Sequence, residues 1–199
     1  FTASHISAVS CAVPFARSNI SADASFTYLS SIFIARIPRV PVHRVVDAVL
    51  HFCETVYSEM ESRFDVKHSV HPIHEPTKLR KYSQLAYTSP TSFESRSCAA
   101  FAAKVSEDAC AIVLDFVDRD DRFPDAEAAR RQVSCMIYVT PMMDPDTQQP
   151  QVLLRQVRVN RYGMRPDDEL LREEVRLTQL WSNGDLFVAL VCQYLMDHQ

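Results

Sequence analysis

Glycine is almost missing from this chain: Gly163 and Gly184 are its two copies in 199 residues. A phosphate-cradling loop or a dinucleotide fingerprint needs several glycines close together, and neither motif is present. Closely spaced cysteines are missing too. Cys11, Cys53, Cys98, Cys110, Cys135 and Cys192 stand singly, with no CxxC pair to build a zinc site. Most of them sit among Ala, Val, Ile and Met, where a free cysteine behaves as a small buried hydrophobe, so reduced core thiols in the cytosol are expected. A nucleophilic cysteine would need a histidine or a helix N-terminus beside it, and no local sequence supplies one.

Nor is there a basic block. The net charge is -4, and the 21 Lys and Arg are scattered along the chain, which sets nucleic acid aside. No apolar run approaches the ~18 residues of a membrane-crossing helix. The opening Phe1-Thr2-Ala3-Ser4 lacks an initiator Met and lacks a charged segment ahead of an apolar one. It reads as the start of a domain cut from a longer chain, not as a signal peptide. No repeat is visible, and no set of nucleophile, base and orienting group can be assembled from motifs.

What is present is the balance of a globular domain, 47% apolar and 23% charged, with enough length for one sizeable core. Two long helical patterns, at 41–64 and 166–196, bracket a middle that reads as strands. A parallel sheet would need a helix after nearly every strand, so the order argues for α+β, an antiparallel sheet with helices on one side. Residues 1–22 read as a linker or edge segment and 23–199 as a single domain. The stretch 24–37 is dense enough in Phe, Tyr, Leu and Ile to be a strand buried on both faces.

Pro41 is expected at the first position of the first helix, where its missing N–H costs nothing. Val42, Val45, Val46, Val49, Phe52, Cys53, Val56 and Met60 then form one apolar stripe. His43, Asp47, His51, Glu54 and Ser58 form the polar side, read as a solvated face before a metal or acid-base ribbon. His68, His71 and His74 are spaced as a ligand set would be on a helix, but Pro72 and Pro76 forbid one, and a surface connection is expected. The aspartates of 115–125 lack the central Gly and closing Glu of a calcium loop and read as a charged turn.

Strand faces follow from period two. Cys110, Ile112, Leu114 and Phe116 make one inward set, and Val133, Cys135, Ile137 and Val139 another. Along 151–162, Leu153, Val157 and Val159 share a face with Arg155. If that face is the inner one, Arg155 points at the core, and a buried guanidinium wants an anionic partner; the competing reading puts it at a sheet edge or snorkelling to water. Pro166 with Asp167, Asp168 and Glu169 marks the start of the last helical segment. Asn183-Gly184-Asp185 either kinks one long helix there or separates two.

A strand, a helix, several antiparallel strands and a long terminal helix resemble the helix-grip superfamily, which includes START lipid-transfer domains. Three pieces are similar to the START-like proteins found in large numbers in oomycetes: 26–44, the Leu153-Leu-Arg-Gln-Val157 strand, and 177–197 with Asn183-Gly-Asp-Leu186 inside it. The resemblance implies a curved sheet wrapped around the C-terminal helix with an apolar cavity between them. Ile112, Leu114, Phe116, Ile137, Leu153, Arg155 and Val157 would line it from the sheet, and Trp181, Phe187, Leu190 and Val191 from the helix. The function it implies is non-catalytic binding of a lipid or other hydrophobic small molecule in the cytoplasm, with no metal or cofactor. Any peripheral membrane contact falls to other parts of the parent protein. Two alternatives stay open: a divergent START-like protein-interaction module without a ligand, and a hot-dog-type enzyme using His43, Asp47 and Glu54.

Overall fold

Alternate residues of Thr27–Pro38 are buried, so Leu29, Phe33, Ala35 and Ile37 face one way while Ile32 is exposed on the other side. This strand therefore has one core face, where sequence density had suggested two. It is β2 of a computed structural model that describes residues 12–90, 93–117, 120–121, 131–182 and 184–198, with backbone alone at 12–14 and 177–182. The first strand, β1, is Ala12–Ala22, and the helix α1, Val42–Phe64, follows β2. Six further strands come next: β3 (Lys67–Thr77), β4 (Arg80–Thr88), β5 (Glu94–Val105), β6 (Cys110–Val117), β7 (Arg131–Met143) and β8 (Pro150–Tyr162). Two helices, α2 (Glu169–Ser182) and α3 (Asp185–Asp197), end the order.

The eight strands make one antiparallel open sheet in the order β1-β2-β8-β7-β6-β5-β4-β3. The fold class is α+β, with the C-terminal helix on the same side of the sheet as α1. Edge positions account for two segments. β1 is an edge strand on β2, and β3 is the other edge, running through the three histidines where a surface connection was expected. Pro72 is accommodated there because an edge strand has one row of N–H groups without a ladder partner, and the register shifts beyond Pro72. His71 and His74 are exposed, and among the described residues no group of His, Cys, Asp and Glu is arranged to hold a metal. Cys11 and residues 118–119 and 122–125 of the aspartate stretch lie outside the described residues. Asp115 itself accepts a hydrogen bond from Ser134 Oγ at 2.5 Å.

Helix boundaries depart slightly from the proline signals. Pro41 is the residue before the helix, extended at φ -63° and ψ 147°, and Val42 is the first helical one. Pro166 precedes α2 by a turn; the cap is Asp168, whose Oδ1 accepts from Leu170 N at 2.9 Å and Leu171 N at 3.4 Å. The terminal segment is two helices, separated at Gly184 with φ +86°.

The core has two parts. Phe33 and Ile37 of β2, Val152 and Leu154 of β8 and Val139 of β7 meet Val45 and Val49 of α1 and Phe187, Val191 and Leu195 of α3. A second cluster gathers Leu29, Met60, Tyr87, Phe93, Tyr162, Leu171 and Leu186. No described helix is long and apolar enough to cross a membrane.

Candidate functional site

Large side chains fill the β2–β8 half of the helix-covered face, but β4 and β5 present small ones: Ser83, Ser95, Ser97 and Ala99. A helix laid over such a surface cannot close onto it, and a cavity of about 660 Å³ remains beneath α1. Leu50, Phe52, Cys53, Val56, Tyr57 and Met60 form its roof. Leu79, Leu85, Phe101, Ile112, Leu114 and Ile137 supply apolar walls, and the exposed Glu54, Val70, Glu75 and Lys78 mark its mouth. Lys81 pairs loosely with Glu75 there at 3.9 Å. From Lys81 to Tyr87 the cavity follows β4 for about 20 Å at ~3.3 Å per residue.

The inner end is polar. Arg131 and Arg158 both line the cavity, with Tyr87, His68 and Ser95. Arg131 opens β7, and its backbone is pinned by Ser95: the Ser95 hydroxyl donates to Arg131 O at 2.9 Å and accepts from Arg131 N at 3.2 Å. Its guanidinium lies over the Tyr87 ring, 4.4 Å from the centroid. The Tyr87 hydroxyl donates to Glu174 Oε1 at 2.6 Å, and Glu174, on α2, is 0% exposed. Burial disfavours the charge of Arg131, but Tyr162, Tyr87 and Glu174 around it favour the charged form and raise the pKa. Arg158 has the opposite balance: burial, then the like charge of Arg131, lowers its pKa.

Burial also governs the other titratable groups. The Cys53 thiol is pushed up to about 12, first by burial and then by Cys135 and Cys110, so it forms no thiolate at neutral pH. Cys53, Cys98, Cys110 and Cys135 are free thiols. His68 lies between Tyr57 (tilted, 4.8 Å) and Tyr87 (edge-on, 5.2 Å), with Nδ1 3.3 Å from Val66 O. Its pKa is lowered from 6.5 to about 4, by burial first and then by Arg131, against the opposing Val66 carbonyl.

A sign follows for His68. The folded protein holds this proton less well than the unfolded chain, so the stabilisation is complete above pH 6.5 and is lost as pH falls from 6.5 toward about 4. The loss should stay below about 3.5 kcal/mol at ~1.4 kcal/mol per pKa unit, less for the ring's partial exposure. Urea denaturation across that range should show it in the wild type, and His68→Phe should flatten the slope. An unchanged slope in the variant would assign the effect elsewhere. The lowered carboxylates Asp23, Asp144 and Glu173 act in a different window, beginning only below 4.5.

Of the residues expected at the ligand, Ile112, Leu114 and Ile137 line this cavity. Phe116 lies instead against the Arg161 guanidinium, at 4.8 Å. On β8 the buried set is Val152, Leu154, Gln156 and Asn160, so Leu153, Arg155 and Val157 fall on the other face. Arg155 sits over Tyr138, 5.7 Å from the centroid, and Val157 is paired with the exposed Ile32 and Met136. Phe187 and Val191 are packed in the first core cluster, Phe187 against Phe52 at 4.6 Å, and Leu190 packs on the second. The Trp181 side chain lies outside the described residues. The helix over the cavity is thus α1, whose His43 and Asp47 face solvent while Glu54 stands at the mouth.

No protein-family model matches this chain, and no curated protein matches it in sequence. Among solved structures it is similar to the lipid transfer and protein localization domain of human StarD13 (DLC2), with a TM-score of 0.44 and 12% identity over 92% of this chain and 89% of that one. It is also similar to an uncharacterized protein from Rhizobium leguminosarum, with a TM-score of 0.39 and 8% identity over 87% of this chain and 99% of that one.

Proposed function

We propose that this chain is a START-like domain that binds a lipid or other hydrophobic small molecule, without catalysis, in the cavity beneath α1. The observation that carries the reading is the volume of about 660 Å³ under an apolar roof. Protein interiors are otherwise packed to crystal-like density, and ligand sites commonly span about 300 to 1,000 Å³. A protein-interaction module without a ligand would fill this space. Each methylene moved from water into the cavity stabilises the complex by about 0.8 kcal/mol. The buried free thiols Cys98 and Cys110 suit a reducing compartment such as the cytosol.

A neutral fluorescent dye such as Nile red should enter the wild-type cavity and brighten at saturation. Ala99, buried on β5 at the cavity wall, is the place to close it. Ala99→Phe should reduce dye affinity by about tenfold or more while changing stability by less than about 1 kcal/mol, because the ring occupies space already present. Equal uptake by the two proteins would remove the cavity as the binding site.

A further inference from the structure

We propose that the ligand of this cavity is an acidic amphiphile whose single carboxylate is held by Arg158 and Arg131, with its apolar tail lying under α1 toward the mouth. The inference rests on the hydrophobic-ligand reading and adds the chemistry of the head group. Two guanidiniums face the inner end, and arginine stays charged at neutral pH. Glu174 balances one positive charge. The groups that favour the charge of Arg158 are Cys135, Tyr162 and Tyr57, so among the described residues no carboxylate is paired with it.

Hydrogen bonding tells the same story. Buried polar groups are nearly always paired, and an exception calls for an explanation. Among the described residues, Arg36 Nε and Arg155 Nε on the outer face are buried without a protein partner, and so on the inner side are Arg131 Nε, Arg158 Nε, both side-chain polar atoms of Asn160, Tyr162 Oη and Glu174 Oε2. The inner residues share one neighbourhood: Arg131 pairs with Tyr162 across β7 and β8, and Arg158 and Asn160 follow on the same face of β8. A carboxylate accepts from guanidinium N–H groups in a matched fork geometry, which an alcohol or a sterol-like hydroxyl cannot reproduce. The apolar walls Leu79, Leu85 and Phe101 then receive the tail.

The test displaces Nile red from the full chain with dodecanoate or with dodecanol, which differ only in the head. Dodecanoate should compete at a concentration at least about tenfold lower than dodecanol. Arg158→Met keeps the apolar stem and removes the charge; it should abolish that preference while leaving dodecanol unchanged, and Arg155→Met, on the opposite face, should preserve it. Should Arg158→Met not fold, the wild type still decides. The 13C-carboxyl signal of bound dodecanoate should titrate below its value in water, as a carboxylate between two guanidiniums must. Equal competition by acid and alcohol, a preference that survives Arg158→Met, or an unshifted carboxyl titration overturns the head-group assignment while dye uptake leaves the cavity reading standing. If neither dye nor amphiphile binds, both fail.

Discussion

Gly184→Ala is expected to destabilise the fold by about 2 to 5 kcal/mol, a large effect for one methyl group. Two terms add. Gly184 has φ +86°, a conformation in which an L side chain costs about 1 to 2 kcal/mol. A Cβ built there would stand 2.7 Å from Phe33 Cδ2 and 2.8 Å from Phe33 Cγ. Phe33 is 2% exposed and is held against Phe187 of α3 with ring centroids 6.3 Å apart, so it has nowhere to retreat. Overpacking of a filled core costs about 1 to 3 kcal/mol. The midpoint of urea unfolding should fall at an unchanged denaturant slope. Phe33→Leu in the same chain should recover the overpacking part and leave the backbone part, giving a non-additive double-mutant cycle. A loss under about 0.5 kcal/mol would mean that β2 and α3 do not meet at this glycine.

That junction was partly legible in the sequence: Asn183-Gly184-Asp185 interrupts an apolar stripe, and a chain with two glycines has little reason to spend one inside a helix. The choice between a kink and a break was not legible, because it depends on how close β2 comes. Element order, the antiparallel sheet and the inner faces of β6 and β7 could be read because the inner positions from Cys110 to Leu114 and from Val133 to Val139 are uniformly apolar, while Asp115 and Ser134 mark the outer side. β8 is different. Its inner face carries Gln156, Arg158 and Asn160, while Val157 and Val159 lie on the outer one, so hydrophobic counting selects the wrong side. A one-residue change of phase moves every side chain to the other face, which is why Arg155 and not Arg158 drew attention. The polar inner end of the cavity obscured its own position. Glu174 was hidden for another reason: on an isolated helix it reads as one more solvated carboxylate, and only the fold carries it to Tyr87. The clearest missed signal was the run Ser95 to Ala103, whose small side chains on an otherwise well-formed strand mark where a helix cannot pack down.

Glu174→Gln should cost about 3 kcal/mol, because it removes the carboxylate that, among the described residues, favours the charge of Arg131 and leaves the like charges of Arg131 and Arg158 to act on each other. The amide preserves the volume and can still accept from the Tyr87 hydroxyl, so the loss reports charge rather than packing. Arg131→Met is expected to cost a similar amount by leaving Glu174 buried without a cation. The informative variant is the double one. With Glu174→Met and Arg131→Met together, no unpaired charge of the pair remains and the site becomes apolar, so the combined loss should be smaller than either single loss. Losses that simply add would mean that the two groups do not sense each other through Tyr87. A second consequence distinguishes a structural ion pair from one that also tunes the cavity. Glu174→Gln raises the positive charge at the inner end, so dodecanoate should recover more stability for that variant than for the wild type at the same concentration. Dodecanol should recover the same amount for both, since it carries no charge for the altered field to act on.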